Sequence, residues 1–296
     1  MKLLARFNLI FIAVLGLGLS VAIWLASNFL RANAKEEVLA QANLMMETTL
    51  STRTYTATQI QPLLNKKQAH DSTFLPQTVP AYAATEIFNN LRKRYPDYAY
   101  KEATLNPTNP RDRATDWEAD VVNQFRNNPS LKTFQGERST PTGKSLYLAR
   151  PLQITNPACL ECHSTPAAAP VSMIKQYGPD NGFGWKPNEI IGAQIVSVPE
   201  SLPLDVADRA LKTFVIYMIG LAVVIILILD IVLVMTVIRP VAKLSHMADD
   251  ISQGKLATED LPISGRDEIS VLASSFNRMQ RSLARAMKML EGDQEE

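Results

Sequence analysis

The chain has 296 residues, 46% of them hydrophobic, and a formal net charge of +1. That length admits one folded domain with smaller parts attached. The near-neutral balance, with no basic stripe interleaved with aromatics, argues against a nucleic-acid partner. Two apolar runs decide the class instead.

Residues 9–30 are apolar apart from Ser20, Ser27 and Asn28, and they follow Lys2, Arg6 and Asn8. The run is long enough to cross a bilayer as a helix. Its basic start predicts a cytoplasmic N-terminus at residues 1–8. A cleaved signal peptide with Ala32-Asn33-Ala34 as its site is the rival reading, but the run exceeds an ordinary signal core, which favours an uncleaved anchor. From residue 36 to 64, Val38, Ala42, Met45, Met46, Thr49 and Tyr55 recur at helical spacing, with no Gly or Pro before Pro62. This predicts a long helix continuing out of the first span.

A turn-rich stretch over residues 70–80 separates that helix from a second one over 81–94. Residues 98–105 alternate as a strand, and Asn106-Pro107-Thr108-Asn109-Pro110 breaks the chain. A helix starting near Ala114 puts Trp117, Val121, Val122 and Phe125 on one face. Residues 134–138 and 145–151 read as antiparallel strands with Pro141-Thr142-Gly143 between them. Gly182-Phe183-Gly184-Trp185 reads as a loop, and residues 190–198 as a strong final strand. Residues 31–210 are thus expected to form one α+β domain, helices first and a small antiparallel sheet after.

Cys159-Leu160-Glu161-Cys162-His163 holds the only two cysteines of the chain. C-x-x-C-H is the attachment pattern for c-type haem: each thiol forms a thioether to a vinyl group, and the next residue supplies an axial nitrogen. The expected cofactor is therefore one covalent haem c on Cys159 and Cys162, with His163 on the iron. The rivals are a disulfide and half of a zinc site, for which only His70 and His246 remain as histidines. A redox pair should open a helix after a strand, whereas Asn156-Pro157 before the motif and Ser164-Thr165-Pro166 after it predict a loop. Covalent haem attachment in bacteria takes place outside the cytoplasmic membrane, so this domain is expected to be extracytoplasmic (periplasmic).

A second apolar run, residues 213–238, lies between Lys212 and Arg239 and contains Asp230. A charge in hydrocarbon is expensive; it serves a function, hides at a helix–helix contact or reaches the inner interface. Beyond Pro240, Val241, Leu244, Ala248 and Ile251 step by three and four, and Gly254 ends that helix. A connector with Leu256, Leu261 and Ile263 leads to a second helix opening at Asp267-Glu268-Ile269. It carries Ile269, Leu272, Phe276, Met279, Leu283, Ala286 and Leu290 on one seam. Two short heptad helices are stable when they bury these seams against each other and a second copy, so a homodimer is expected.

Residues 239–291 resemble a HAMP domain, on Pro240, Gly254 with Leu256, and Asp267-Glu268-Ile269 with Phe276-Asn277-Arg278-Met279. The resemblance implies a parallel four-helix coiled coil in a dimer that relays a signal from the membrane; residues 292–296 are a tail. The preceding region resembles the bacterial haem-c sensor domains known as domain of unknown function 3365. The carrying residues are Leu105-Asn106-Pro107-Thr108-Asn109-Pro110, Trp117-Glu118, the C-x-x-C-H motif and Ile191-Gly192-Ala193. That resemblance implies a PAS-like fold. Some members take a cysteine from the early helix as second axial ligand, and this chain has none there.

For the sixth iron position Met45, Met46, Tyr55, His70 or no residue come into question. Met46 is the distal candidate carried forward, although methionine on a helix face is more often core packing. Arg111, Arg113, Arg138 and Arg150 are candidates to pair haem propionates, against the commoner role of solvated surface arginine. The favoured function is a two-pass inner-membrane sensor of redox state or a small haem ligand. It signals through HAMP to a separate cytoplasmic kinase or other output protein. The alternative is a membrane-anchored cytochrome for electron transfer. No catalytic constellation is found, so no enzyme is expected.

Overall fold

The computed structural model describes residues 2–68, 73–253, 260, 265 and 267–292. His70, Gly254, Leu256, Leu261 and Ile263 lie outside the described residues. The chain divides into two compact units, Ala26–Leu211 and a second made of Met1–Leu25 with Lys212–Glu296.

Helix α1 (Lys2–Tyr55) is continuous. Its part within the first unit buries Ala34, Val38, Ala42, Met46, Thr49 and Thr56 just beyond its end. These steps of three, four and seven put one face on the sheet. A π-helical turn, Thr56–Ile60, separates α1 from α2 (Gln61–Gln68). Pro62 explains it: proline has no N–H to donate, and its ring crowds the carbonyl four residues back, on Thr58. The wider turn relieves both. A second π turn, Val234–Ile238, stands in the same relation to Pro240.

Helix α3 (Pro80–Arg92) begins with proline, whose absent N–H is harmless in a first turn. Strand β1 (Ala99–Thr104) and a 3₁₀ turn at Pro110–Asp112 lead to α4 (Asp116–Asn127). A capping box starts α4: Glu118 accepts from the Thr115 backbone N–H at 2.8 Å. Strands β2 (Phe134–Thr140) and β3 (Gly143–Gln153) pair from Thr140↔Gly143 outward, leaving Pro141-Thr142 as a two-residue turn. Two short helices follow, α5 (Cys159–His163) and α6 (Val171–Tyr177), then β4 (Ile190–Pro199). The sheet is antiparallel in the order β1-β4-β3-β2. The expected α+β class stands, with a strand order in which the last strand lies beside the first.

Alternation along the strands makes two cores. One sheet face packs Tyr100, Leu146, Leu148, Val196 and Val198 against Val38, Ala42 and Met46 of α1 and Ala84 and Phe88 of α3. The other packs Ala103, Ala149, Ala193 and Ile195 against Val121, Val122 and Phe125 of α4. The predicted loop around the cysteines is instead the single helical turn α5. The Asn156 side chain accepts from the Ala158 N–H, and the Asn156 and Pro157 carbonyls accept from Cys159 and Leu160. The proline before the motif thus starts a turn rather than excluding one.

Helix α7 (Ser201–Leu233) starts in the first unit; in the second, from Lys212 on, it runs through the π turn into α8 (Arg239–Ser252), and α9 (Glu268–Gly292) packs on α8. Among the described residues, two helices are long and apolar enough to cross a membrane. Asp230 is partnered: its Oδ2 accepts from Asn8 Nδ2 at 3.1 Å, so the charge in the second run meets the polar residue at the start of the first. Leu244 is buried and Ile251 and Phe276 are half-buried, but Met279 is exposed. The buried stripe of α9 is Ser270, Ala273, Asn277 and Gln280, and its apolar seam at Leu272, Met279 and Leu283 faces outward.

Candidate haem site

Helix α5 places Cys159 and Cys162 three residues apart, on one side of a single turn. Both are half-buried free thiols. Burial pushes both thiols up from their ordinary value. The nearby Arg53 guanidinium opposes this at Cys159, while Glu161 adds to it at Cys162.

His163 is held from three sides. Its Nδ1 lies 2.8 Å from the Gly182 carbonyl and 3.3 Å from Thr108 Oγ1. A carbonyl only accepts, so in the neutral ring Nδ1 carries the proton and Nε2 is left with its lone pair. This is the usual arrangement for a metal-binding imidazole, in which the other ring nitrogen is anchored by a backbone carbonyl. Trp185 stacks on the ring with centroids 3.9 Å apart and planes within 16°. Burial lowers the His163 pKa, opposed by the Gly182 hydrogen bond, so the ring stays neutral and ready to donate.

The Asn106–Pro110 break serves this histidine directly. Thr108 approaches so closely that a Cβ on Gly182 would stand 2.7 Å from its backbone nitrogen, and Gly182 has φ of +82°. Only glycine suits both conditions. The loop around Trp185 closes on the motif through Gly184 N–H to Ser164 O at 3.0 Å and Trp185 N–H to His163 O at 3.3 Å.

A largely buried charge pair lies within electrostatic reach of Cys159. Arg53 of α1 donates to both oxygens of Glu102 on β1. Tyr100 Oη donates to Glu102 at 2.8 Å, and Gln194 of β4 donates to Tyr100 Oη at 3.4 Å. Glu102 is 3% exposed, so its charge depends on these partners. Neither Arg53 nor Glu102 stood out in the sequence. The signals were there: an arginine on the buried face of α1, and a glutamate between Tyr100 and Thr104 at inward strand positions.

Met46, the distal candidate, is fully buried among Val38, Ala42, Phe88, Leu148 and Val196, where it serves as core packing. Met45 packs on the same core and Tyr55 is exposed. The hydrogen bonds and ring contacts of His163 join none of the three to it. The four candidate arginines are engaged elsewhere. Arg111 pairs with Glu86 at 2.5 Å, Arg113 bonds Asn181, Arg150 pairs with Glu47 at 2.6 Å, and Arg138 lies over the Trp117 ring at 4.2 Å.

The Tll0287-like family matches residues 31–199, and the HAMP domain matches residues 232–285. The chain belongs to the Tll0287-like family. The combination read from the sequence, a haem-protein domain followed by a HAMP domain, is thereby shown. A crystal structure of the cyanobacterial haem protein Tll0287 is similar over 55% of this chain and 95% of that one, at 18% identity and a TM-score of 0.42. No curated protein matches. A haem-protein domain joined to HAMP, with two candidate spans, makes this a membrane-associated signalling protein. The donor set fits haem: two free thiols on one helical turn, and beside them an imidazole with Nε2 unclaimed.

Proposed function

We propose that the chain is a two-pass inner-membrane sensor whose extracytoplasmic Tll0287-like domain carries one covalent haem c. Cys159 and Cys162 form the thioethers, and His163 gives Nε2 to the iron. The observation that carries this reading is the Gly182 carbonyl at His163 Nδ1, which fixes the tautomer a metal needs. When bound, haem supplies an iron centre whose charge and ligation change with redox state or with a small ligand. Trp185 and Thr108 hold the ring in place, and the Arg53–Glu102 pair ties α1 to β1 within electrostatic reach of Cys159. A charge change there alters the electrostatic balance of a pair that is poorly screened. Helix α1 leads toward the first span, so the pair links the site to the membrane.

HAMP then acts as a parallel homodimer and passes the state to a separate cytoplasmic kinase or other output protein. The outward apolar seam of α9 supports a second copy, and a bundle of this kind is bistable enough for a modest bias to switch it.

Purified protein should keep its haem through denaturing electrophoresis and give a c-type reduced spectrum, and Cys159→Ser with Cys162→Ser should lose it. Haem released by acid-acetone rejects the covalent reading. A reporter fused near Gly143 should be active only outside the cytoplasm. Cysteines along the α9 seam should crosslink between copies in a pattern that changes with haem state. An unchanged pattern would favour the anchored cytochrome.

A further inference from the structure

The sheet face that α4 covers is only partly filled. Beyond the N-terminal end of α4 a cavity of about 300 Å³ opens against β1 and β4. Arg92, Lys101, Arg111 and Arg138 line it, against the acidic Asp112 and Glu118. Its other walls include the Trp117 ring and Ile195.

The charges do not cancel. Lys101 Nζ is 2.7 Å from Glu118, and Arg111 is paired with Glu86 and lies 3.7 Å from Asp112. Arg92 and Arg138 have no hydrogen-bonding or ionic partner among the described residues. Arg138 lies over Trp117 with its guanidinium centre 4.2 Å from the ring centroid, a contact that restrains the fork and uses none of its N–H groups. A guanidinium held in this way is preorganised for bidentate binding of a planar oxyanion. The apolar wall of Trp117 and Ile195 suits a hydrocarbon body, which an inorganic anion lacks. A cavity of this size is at the small end of ligand pockets.

We propose that this cavity binds a small organic dicarboxylate, with Arg138 and Arg92 as the carboxylate-binding groups and Trp117 as the platform. Binding itself does not depend on the haem reading. Its link to the haem site would run through β1, where Lys101 lines the cavity and the adjacent Glu102 holds Arg53 on the opposite face.

The test is calorimetric titration of the haem-loaded full chain in detergent with succinate, succinamide, inorganic phosphate and sulfate. Succinate should bind with a dissociation constant below about 1 mM. Arg138→Gln should weaken it at least ~10-fold, and Arg138→Lys, which keeps the charge and loses the fork, by less. Unchanged melting and an unchanged Soret band in both variants establish that the fold and haem pocket are intact. The neutral diamide should not bind. Equal affinity for succinate in Arg138→Gln, binding of succinamide as tight as of succinate, phosphate or sulfate binding as tight as succinate, or no binding of succinate would each overturn the proposal. If the Arg138 variants fail to melt like the parent, Arg92→Gln, on the exposed rim, gives the same reading.

Discussion

Val122 and Val196 in the first unit are fully buried, whereas Ile216, Leu227 and Ile231 of α7 and Leu272 and Met279 of α9 are half exposed or more. The α+β unit closes both its cores within one chain. The other unit leaves its apolar side chains uncovered on its long helices and along the α9 seam. Hydrophobic burial in one unit is therefore intramolecular, while under the proposed function lipid and a second copy supply it in the other. Damage to the first should appear as lost stability of the chain itself, and damage to the second as lost association.

Four substitutions test this contrast, taken by their expected effect on unfolding of the α+β unit, read as loss of sheet circular dichroism in denaturant. Arg53→Met leaves Glu102 charged and enclosed, and should cost about 3 kcal/mol. A negligible change would show that water reaches the pair and that the first core is more open than described. Gly182→Ala should cost about 2 kcal/mol through its left-handed φ and the Thr108 backbone, with haem incorporation falling alongside. Normal stability and haem content would remove the Thr108 loop from the site.

Asp112→Asn should act in the opposite direction and depend on pH. Burial pushes the Asp112 carboxyl up to about 6 from 3.8, with Glu102 adding to the rise while Arg111 and Lys101 oppose it. A carboxyl whose folded value is raised holds its proton more tightly in the folded state, so ionisation costs stability. That cost is absent below about pH 4 and complete above about pH 6. The variant should gain ~1 kcal/mol near neutral pH and nothing near about pH 4. A gain independent of pH would point to packing instead. Leu272→Glu should leave this unfolding untouched and abolish dimerisation in sedimentation of the solubilised chain. A destabilised sheet in that variant would refute the separation of the two units' cores.

Much of the candidate site was legible because it rests on local spacing. Cys159, Cys162 and His163 fall within five residues, the structure keeps them on one helical turn, and the chain has no other cysteines. The Asn106–Pro110 break was visible as a break, but its purpose depends on where Gly182 lies, far along the chain. The helical turn at α5 was hidden because prolines read as breakers, whereas Pro157 stands just outside the turn and its carbonyl accepts from the Leu160 N–H. The Arg53–Glu102 pair joins residues 49 apart, and no local pattern announces such a partner. Met46 shows the converse: its helical spacing was plain, but spacing alone cannot tell a ligand from a core residue.

Pro240 has a consequence for the geometry of α8. A π turn holds about one more residue than an α turn, and one residue of helix is ~100° of azimuth. The Val234–Ile238 turn therefore sets the angular offset between the side of α7 that carries Asp230 and the side of α8 that carries Leu244. Without the proline ring, Thr236 could take back an ordinary hydrogen bond, and the wide turn could tighten. Everything after Arg239 would then roll about the helix axis by roughly a quarter turn, with no change to any residue of either seam. Proline at this position thus works as an indexing pin, and deleting one residue from the turn should leave the two helices in phase where a deletion inside α8 would not.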